Sequence, residues 1–157
     1  MNNAVELFTG HQARELATFE VLYKSYGTLM RSFKSNTFFI EREQFSALLR
    51  SRTELLVFAF IGHDIVATAQ ATLIQTPPTF QVVVNNVVVA SEHQKEGLGR
   101  ALMEYLEAQV KTSWGSVRSL RLFLTNAPSK GNGQFYQKLD FTPRIDERVT
   151  IVWEKII

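Results

Sequence analysis

Residues 94 to 100 read QKEGLGR, with two glycines one residue apart and a basic residue before and after them. This short run lies between a valine-rich stretch, VVVNNVVVA, and a stretch with helical periodicity, so it marks the passage from a strand into a helix. A helix start carries backbone N–H groups without internal partners and the positive end of the helix dipole, and both attract anions. Glycine removes the Cβ that would hold a phosphate at a distance and lets successive amides turn toward one point. Gln94, Lys95, Glu96, Gly97, Leu98, Gly99 and Arg100 are therefore candidates for seating a phosphate or pyrophosphate, with Lys95 and Arg100 adding charge.

Two familiar phosphate sites do not fit. The dinucleotide fingerprint requires a third glycine where Leu102 stands, and no acidic residue follows at the distance expected for a ribose contact. The nucleotide P-loop requires Gly-Lys-Ser/Thr, which neither GLGRAL nor SKGNG supplies. Other chemistries are excluded by composition. The 157 residues include no cysteine, which removes thiolate nucleophiles and cysteine zinc sites. His11, His63 and His93 lack helical i, i+4 spacing, so no metal site is expected. A formal net charge of +2, spread along the chain, does not indicate a nucleic-acid groove. No apolar run reaches membrane-spanning length and no secretory leader opens the chain, so a cytoplasmic protein without a membrane or nucleic-acid partner is expected.

The elements that position the glycines follow from periodicity. AVELFTG reads as a first strand, and Leu16, Phe19, Leu22 and Tyr23 predict a helix over about residues 11–25. Phe45, Leu48 and Leu49 predict a second helix, and TELLVFAFIGHDIVATAQATLI a hairpin turning at GHD. QTPPTF should break the ladder, since proline cannot donate to it. FQVVVNNVVVA then reads as a central strand buried on both faces. Leu98, Ala101, Leu102, Tyr105 and Leu106 form the apolar face of the next helix, and SLRLFLTN, GQFYQKLD and RVTIVWEKI follow as strand, short helix and strand. The order, roughly βααβββαβαβ, predicts one α/β domain over residues 1–157.

Two motifs on these elements carry a resemblance. Gln94, Gly97 and Gly99 give Q-x-x-G-x-G between strand and helix. About 40 residues on, Phe135, Tyr136, Lys138, Leu139 and Phe141 follow a strand in an FYxKxGF-like segment. Together they resemble the GNAT superfamily of acetyl-CoA-dependent N-acetyltransferases, over about residues 53–145. The resemblance implies a mixed, mostly antiparallel sheet with splayed parallel strands, flanked by about four helices. It implies acetyl-CoA as donor, no metal, and direct transfer to an amine of a small molecule or a protein. The pantetheine arm is then expected along the backbone of Val87, Val88 and Val89, and the pyrophosphate on the amides of residues 94–99 with Arg100 beside it. Lys95 and Lys130 are candidates for the nucleotide phosphate, and Asn126, Ser129 and Asn132 compete for a further polar contact with CoA. Tyr136 matches the family's general acid.

The chain departs from the family at the base. Where relatives carry a carboxylate on the central strand, this chain has Asn85 and Asn86, and an amide takes no proton at neutral pH. A water held by either asparagine, or Glu92, His93 or Glu41, remains as the alternative. Asp140 replaces a glycine at a turn that can require positive φ, which aspartate tolerates. A non-catalytic acyl-CoA sensor on the same fold is the rival reading, and a homodimer paired through an exposed last strand is the expected form of any self-association.

Overall fold

The structure is a computed structural model that describes residues 4–33, 38–76, 79–124, 132–145 and 151–157. In chain order the elements are β1 (Val5–Thr9), α1 (Gly10–Leu16), α2 (Phe19–Phe33), α3 (Arg42–Arg50), β2 (Glu54–Ile61), β3 (Asp64–Thr76), β4 (Thr79–Val89), α4 (Leu98–Ser113), β5 (Ser119–Leu124), α5 (Asn132–Gln137), β6 (Thr142–Ile145) and β7 (Ile151–Ile156). The strands form one seven-stranded sheet in the order β1-β2-β3-β4-β5-β7-β6. Among the described strands only β4 and β5 pair in parallel, joined by α4 as a crossover. Among the described residues no helix is long and apolar enough to cross a membrane.

The predicted first helix is two. Thr18 Oγ1 accepts from the Val21 N–H at 3.3 Å, capping α2, and Ala17 closes α1. A threonine cap starts a new helix axis where hydrophobic spacing alone continues the old one. Each helix then buries one stripe: Leu22, Tyr26, Leu29 and Met30 on α2, Phe45 and Leu49 on α3. On α4 the stripe is Leu98, Leu102, Met103, Leu106 and Val110, so Ala101 and Tyr105 sit at its edge and not in its centre.

Register sorts the sheet into two faces. Phe58, Thr68 and Val88 stand opposite one another, and Tyr26 of α2 meets Phe58 edge to face at 6.1 Å, so this face is covered by the N-terminal helices. The other face carries Val57, Ala67, Ala69 and Ala71, all fully buried, and packs under α4. Alanine there lets the helix approach the strand closely.

Three expectations change. The strand buried on both faces is β3, whose residues 65–71 are all buried, whereas β4 alternates: Val82, Val84 and Val88 are buried and Val83, Val87 and Val89 half-buried. Helices lie over both sides of β3, but β4 borders the point where the sheet opens. The strands either side of the two prolines do not break off but pair with each other, with Thr76 opposite Thr79, and the prolines themselves lie outside the described residues. Finally, β6 covers the outer edge of β7 from Ile151 to Glu154, so among the described strands β1 and β6, and not the last strand, are outermost.

Candidate active site

Among the described residues, β4 and β5 pair only at Val82–Leu120, Val83–Arg121 and Val84–Leu122. Past this point β4 continues to Val89 bonded to β3, and β5 continues to Leu124 bonded to β7. The two parallel strands thus part, leaving the β5-facing edge of residues 85–89 without a strand partner among the described residues. Val87, Val88 and Val89 lie on that edge, and the side chain of Val88 is buried in the core.

The divergence is accompanied by a bulge. Gln70 faces Asn85 and Thr68 faces Val88, so β4 has one residue more than β3 over this interval. Asn86 has φ 51, a left-handed conformation that asparagine tolerates better than most residues. A bulge sets two successive side chains on one face, and the side-chain amides of Asn85 and Asn86 both bond to β3 side chains on the face of α2.

The turn before α4 is shaped for amides. Lys95 has φ 65 and Gly97 φ 80, left-handed positions on either side of Glu96 that turn backbone N–H groups together. Gly97 is the N-cap of the 16-residue helix α4 and supplies no side-chain cap. The start of α1 differs, because Thr9 Oγ1 accepts from the Gln12 N–H at 3.1 Å while Gln12 Oε1 accepts from the Thr9 N–H at 2.9 Å. Gly99 answers a different need: a Cβ there would lie 3.2 Å from the Phe135 ring, so glycine lets α5 pack on the start of α4. Gln94 ties the turn to the strand, its Nε2 donating to the Val89 carbonyl at 3.1 Å. Leu98 is buried, so only its backbone faces the turn, and Lys95 and Glu96 are exposed. Arg100 Nε donates to Glu104 Oε1 at 2.9 Å, one helical turn away from the amides.

Tyr136 stands on α5 with its ring buried between Phe135, 5.0 Å away, and Phe141, 5.8 Å away, both edge to face. Burial pushes its phenol up to about 12. The helix end that holds it is a Schellman closure: the Phe141 N–H donates to the Tyr136 carbonyl and the Asp140 N–H to the Gln137 carbonyl, both at 3.0 Å. Asp140 takes φ 66, the positive value its position in the sequence motif suggested.

The residues weighed as a base are scattered. Glu92 is exposed beside Ser91, and its carboxyl is held below the usual range by its own backbone N–H and the Ser91 hydroxyl. His93 lies 3.5 Å from Glu96, and Glu41 caps α3 through its N–H to Gln44 Oε1 at 3.1 Å. Asn126, Ser129 and Lys130 lie outside the described residues, as does the side chain of Asn132. Sequence reasoning missed a carboxylate on the face of α2. Glu54 of β2 accepts from Gln70 Nε2 at 2.7 Å and Thr72 Oγ1 at 2.8 Å, the β3 side chains that hold the two asparagines.

Comparison with known proteins agrees with this architecture. No curated protein sequence matches the chain. A GNAT-family protein of Desulfovibrio desulfuricans superposes with a TM-score of 0.68 at 19% identity, covering 98% of this chain and 99% of its own. A GNAT-family acetyltransferase of Streptococcus pneumoniae gives 0.67 at 21%, covering 97% and 100%. The PaiA N-acetyltransferase of Thermoplasma acidophilum, solved in complex with coenzyme A, gives 0.61 at 14%, covering 98% and 99%. At these identities the likeness establishes the fold. Residues 19–141 match the acetyltransferase (GNAT) family, and the chain belongs to that family.

Proposed function

We propose that this chain transfers the acetyl group of acetyl-CoA directly to an amine. The observation that carries the reading is the parting of β4 from β5 beside an uncapped helix start. An extended arm with amide groups can pair with the free backbone edge at Val87 to Val89, as an added strand would. A pyrophosphate can then reach the amides at Gly97, Leu98, Gly99 and Arg100, with the Lys95 and Arg100 side chains close enough in sequence to add charge.

The amine nitrogen attacks the thioester carbonyl carbon, forming the C–N bond as the C–S bond breaks, and the leaving sulfur takes a proton. Tyr136 supplies it. A phenol with a pKa of about 12 is fully protonated at neutral pH and available to donate. No carboxylate stands on β4, so the acceptor reacts from its neutral fraction, meeting Asn85 and Asn86 from the side of α2, with water removing the proton.

A panel of amines assayed for free-CoA release, with acetyl-CoA binding followed separately by thermal shift, tests the reading. Turnover of at least one amine is expected, together with about 2.7 kcal/mol of stabilisation at 100 times the dissociation constant. Stabilisation without any turnover selects the sensor reading, which the asparagine pair favours. Absence of both removes acetyl-CoA from the account.

A further inference from the structure

Five polar side chains on the α2 face form a branched chain of hydrogen bonds in which every donor points toward one carboxylate. Glu54 Oε2 receives Gln70 Nε2 and Thr72 Oγ1. Gln70 Oε1 in turn receives Asn86 Nδ2 at 3.1 Å, and Thr72 Oγ1 receives Asn85 Nδ2 at 3.4 Å. The direction of each bond follows from the root. An ionised carboxylate only accepts, so Gln70 must present its NH2 to Glu54 and its carbonyl to Asn86. Thr72 spends its single proton on Glu54 and can only accept from Asn85. Both asparagines therefore turn their NH2 groups into the network and their carbonyl oxygens away from it.

One of those oxygens is conspicuous. Asn85 Oδ1 is buried and has no hydrogen-bond partner among the described residues. An unpaired buried acceptor is costly, and it lies on the strand segment that parts from β5, where the acceptor is proposed to arrive. We propose that Glu54 is a positioning residue for the acceptor: it fixes the amide polarity of Asn85 and Asn86 so that Asn85 Oδ1 accepts an N–H of the incoming amine. The inference rests on the transferase reading and deepens it. It accounts for asparagine on this strand, since a carbonyl oxygen orients an amine without taking its proton. It also accounts for a carboxylate placed two strands away, where it is too remote to act as the base and close enough to set the direction of every bond between.

The test compares Glu54→Gln, Thr72→Val and Asn85→Leu with the wild type, by steady-state kinetics and by side-chain NH2 resonances in 15N spectra. Glutamine keeps the shape of Glu54 but can donate, so the network loses its fixed direction. Glu54→Gln should raise KM for the amine about tenfold, the worth of one hydrogen bond, and leave KM for acetyl-CoA unchanged. Asn85→Leu should do the same, and adding Glu54→Gln to it should cost little more. The NH2 resonances of Asn85 and Asn86 should move in Glu54→Gln. If both KM values rise together, or melting temperature falls while the amine KM holds, the network is structural support and the proposal is overturned. Unmoved asparagine resonances overturn it as well. If wild type turns over no amine, the transferase reading fails, and the resonances still report whether Glu54 directs the asparagines.

Discussion

The two halves of the site are made of different material. The half assigned to CoA is mostly backbone: the free edge of β4 past Val84, left-handed residues at Lys95 and Gly97, and a helix start with no side-chain cap. The half assigned to the acceptor is side chain: Asn85, Asn86, Gln70 and Thr72, all directed by Glu54. A backbone site responds mainly to changes in conformation and close packing. A side-chain site should respond to isosteric changes that leave the fold untouched.

That contrast can be broken by experiment. The largest effect is expected at Tyr136, which belongs to neither half: Tyr136→Phe should lower kcat on the order of 100-fold with the thermal shift by acetyl-CoA retained. Next come the glycines. Gly97→Val forces a β-branched residue to φ 80, and should cost about 1–2 kcal/mol of stability and weaken acetyl-CoA binding. Gly99→Leu drives against Phe135 and should raise KM for acetyl-CoA, again with the amine KM unchanged. A rise in the amine KM in either variant would erase the division between the halves.

The pH profile gives a smaller, sharper test. With no carboxylate base, kcat/KM for an alkylamine should climb with pH toward the pKa of the amine, about 10.4 for a lysine-like nitrogen. Tyr136 does not cut the climb short, because its phenol ionises only near 12. The corresponding stability term runs in the opposite direction with pH. The folded pKa lies above the unfolded value of about 10, so this contribution is complete below pH 10 and is lost as pH rises toward 12. A plateau in kcat/KM near neutral pH would instead reveal a dedicated base. The smallest change in stability is expected for Arg100→Ala, which removes an exposed i, i+4 pair with Glu104 worth about 0.2–0.5 kcal/mol.

The two halves also differ in how far they could be read in advance. Gly97 and Asp140 take the left-handed conformations their residue types and motif positions suggested. The network at Glu54 could not be read so. Counting back along the hairpin from its turn, where Ile61 faces Asp64, sets Glu54 opposite Ala71 and on the wrong face. A bulge after Ala59 shifts the register by one and brings Glu54 opposite Thr72. The short strand β6 was hidden too, since TPRI contains a proline that suits only an edge position, the place it occupies.

The sequence by itself determined what depends on neighbours along the chain: the glycine turn, the amphipathic helix behind it, the tyrosine segment and, through them, the family. Tertiary structure alone decided where β4 parts from β5, which strand is covered on both faces, and which carboxylate governs Asn85 and Asn86. Those outcomes rest on register between strands distant in sequence. A single bulge exchanges the two faces of a strand without leaving a mark on its hydrophobic pattern.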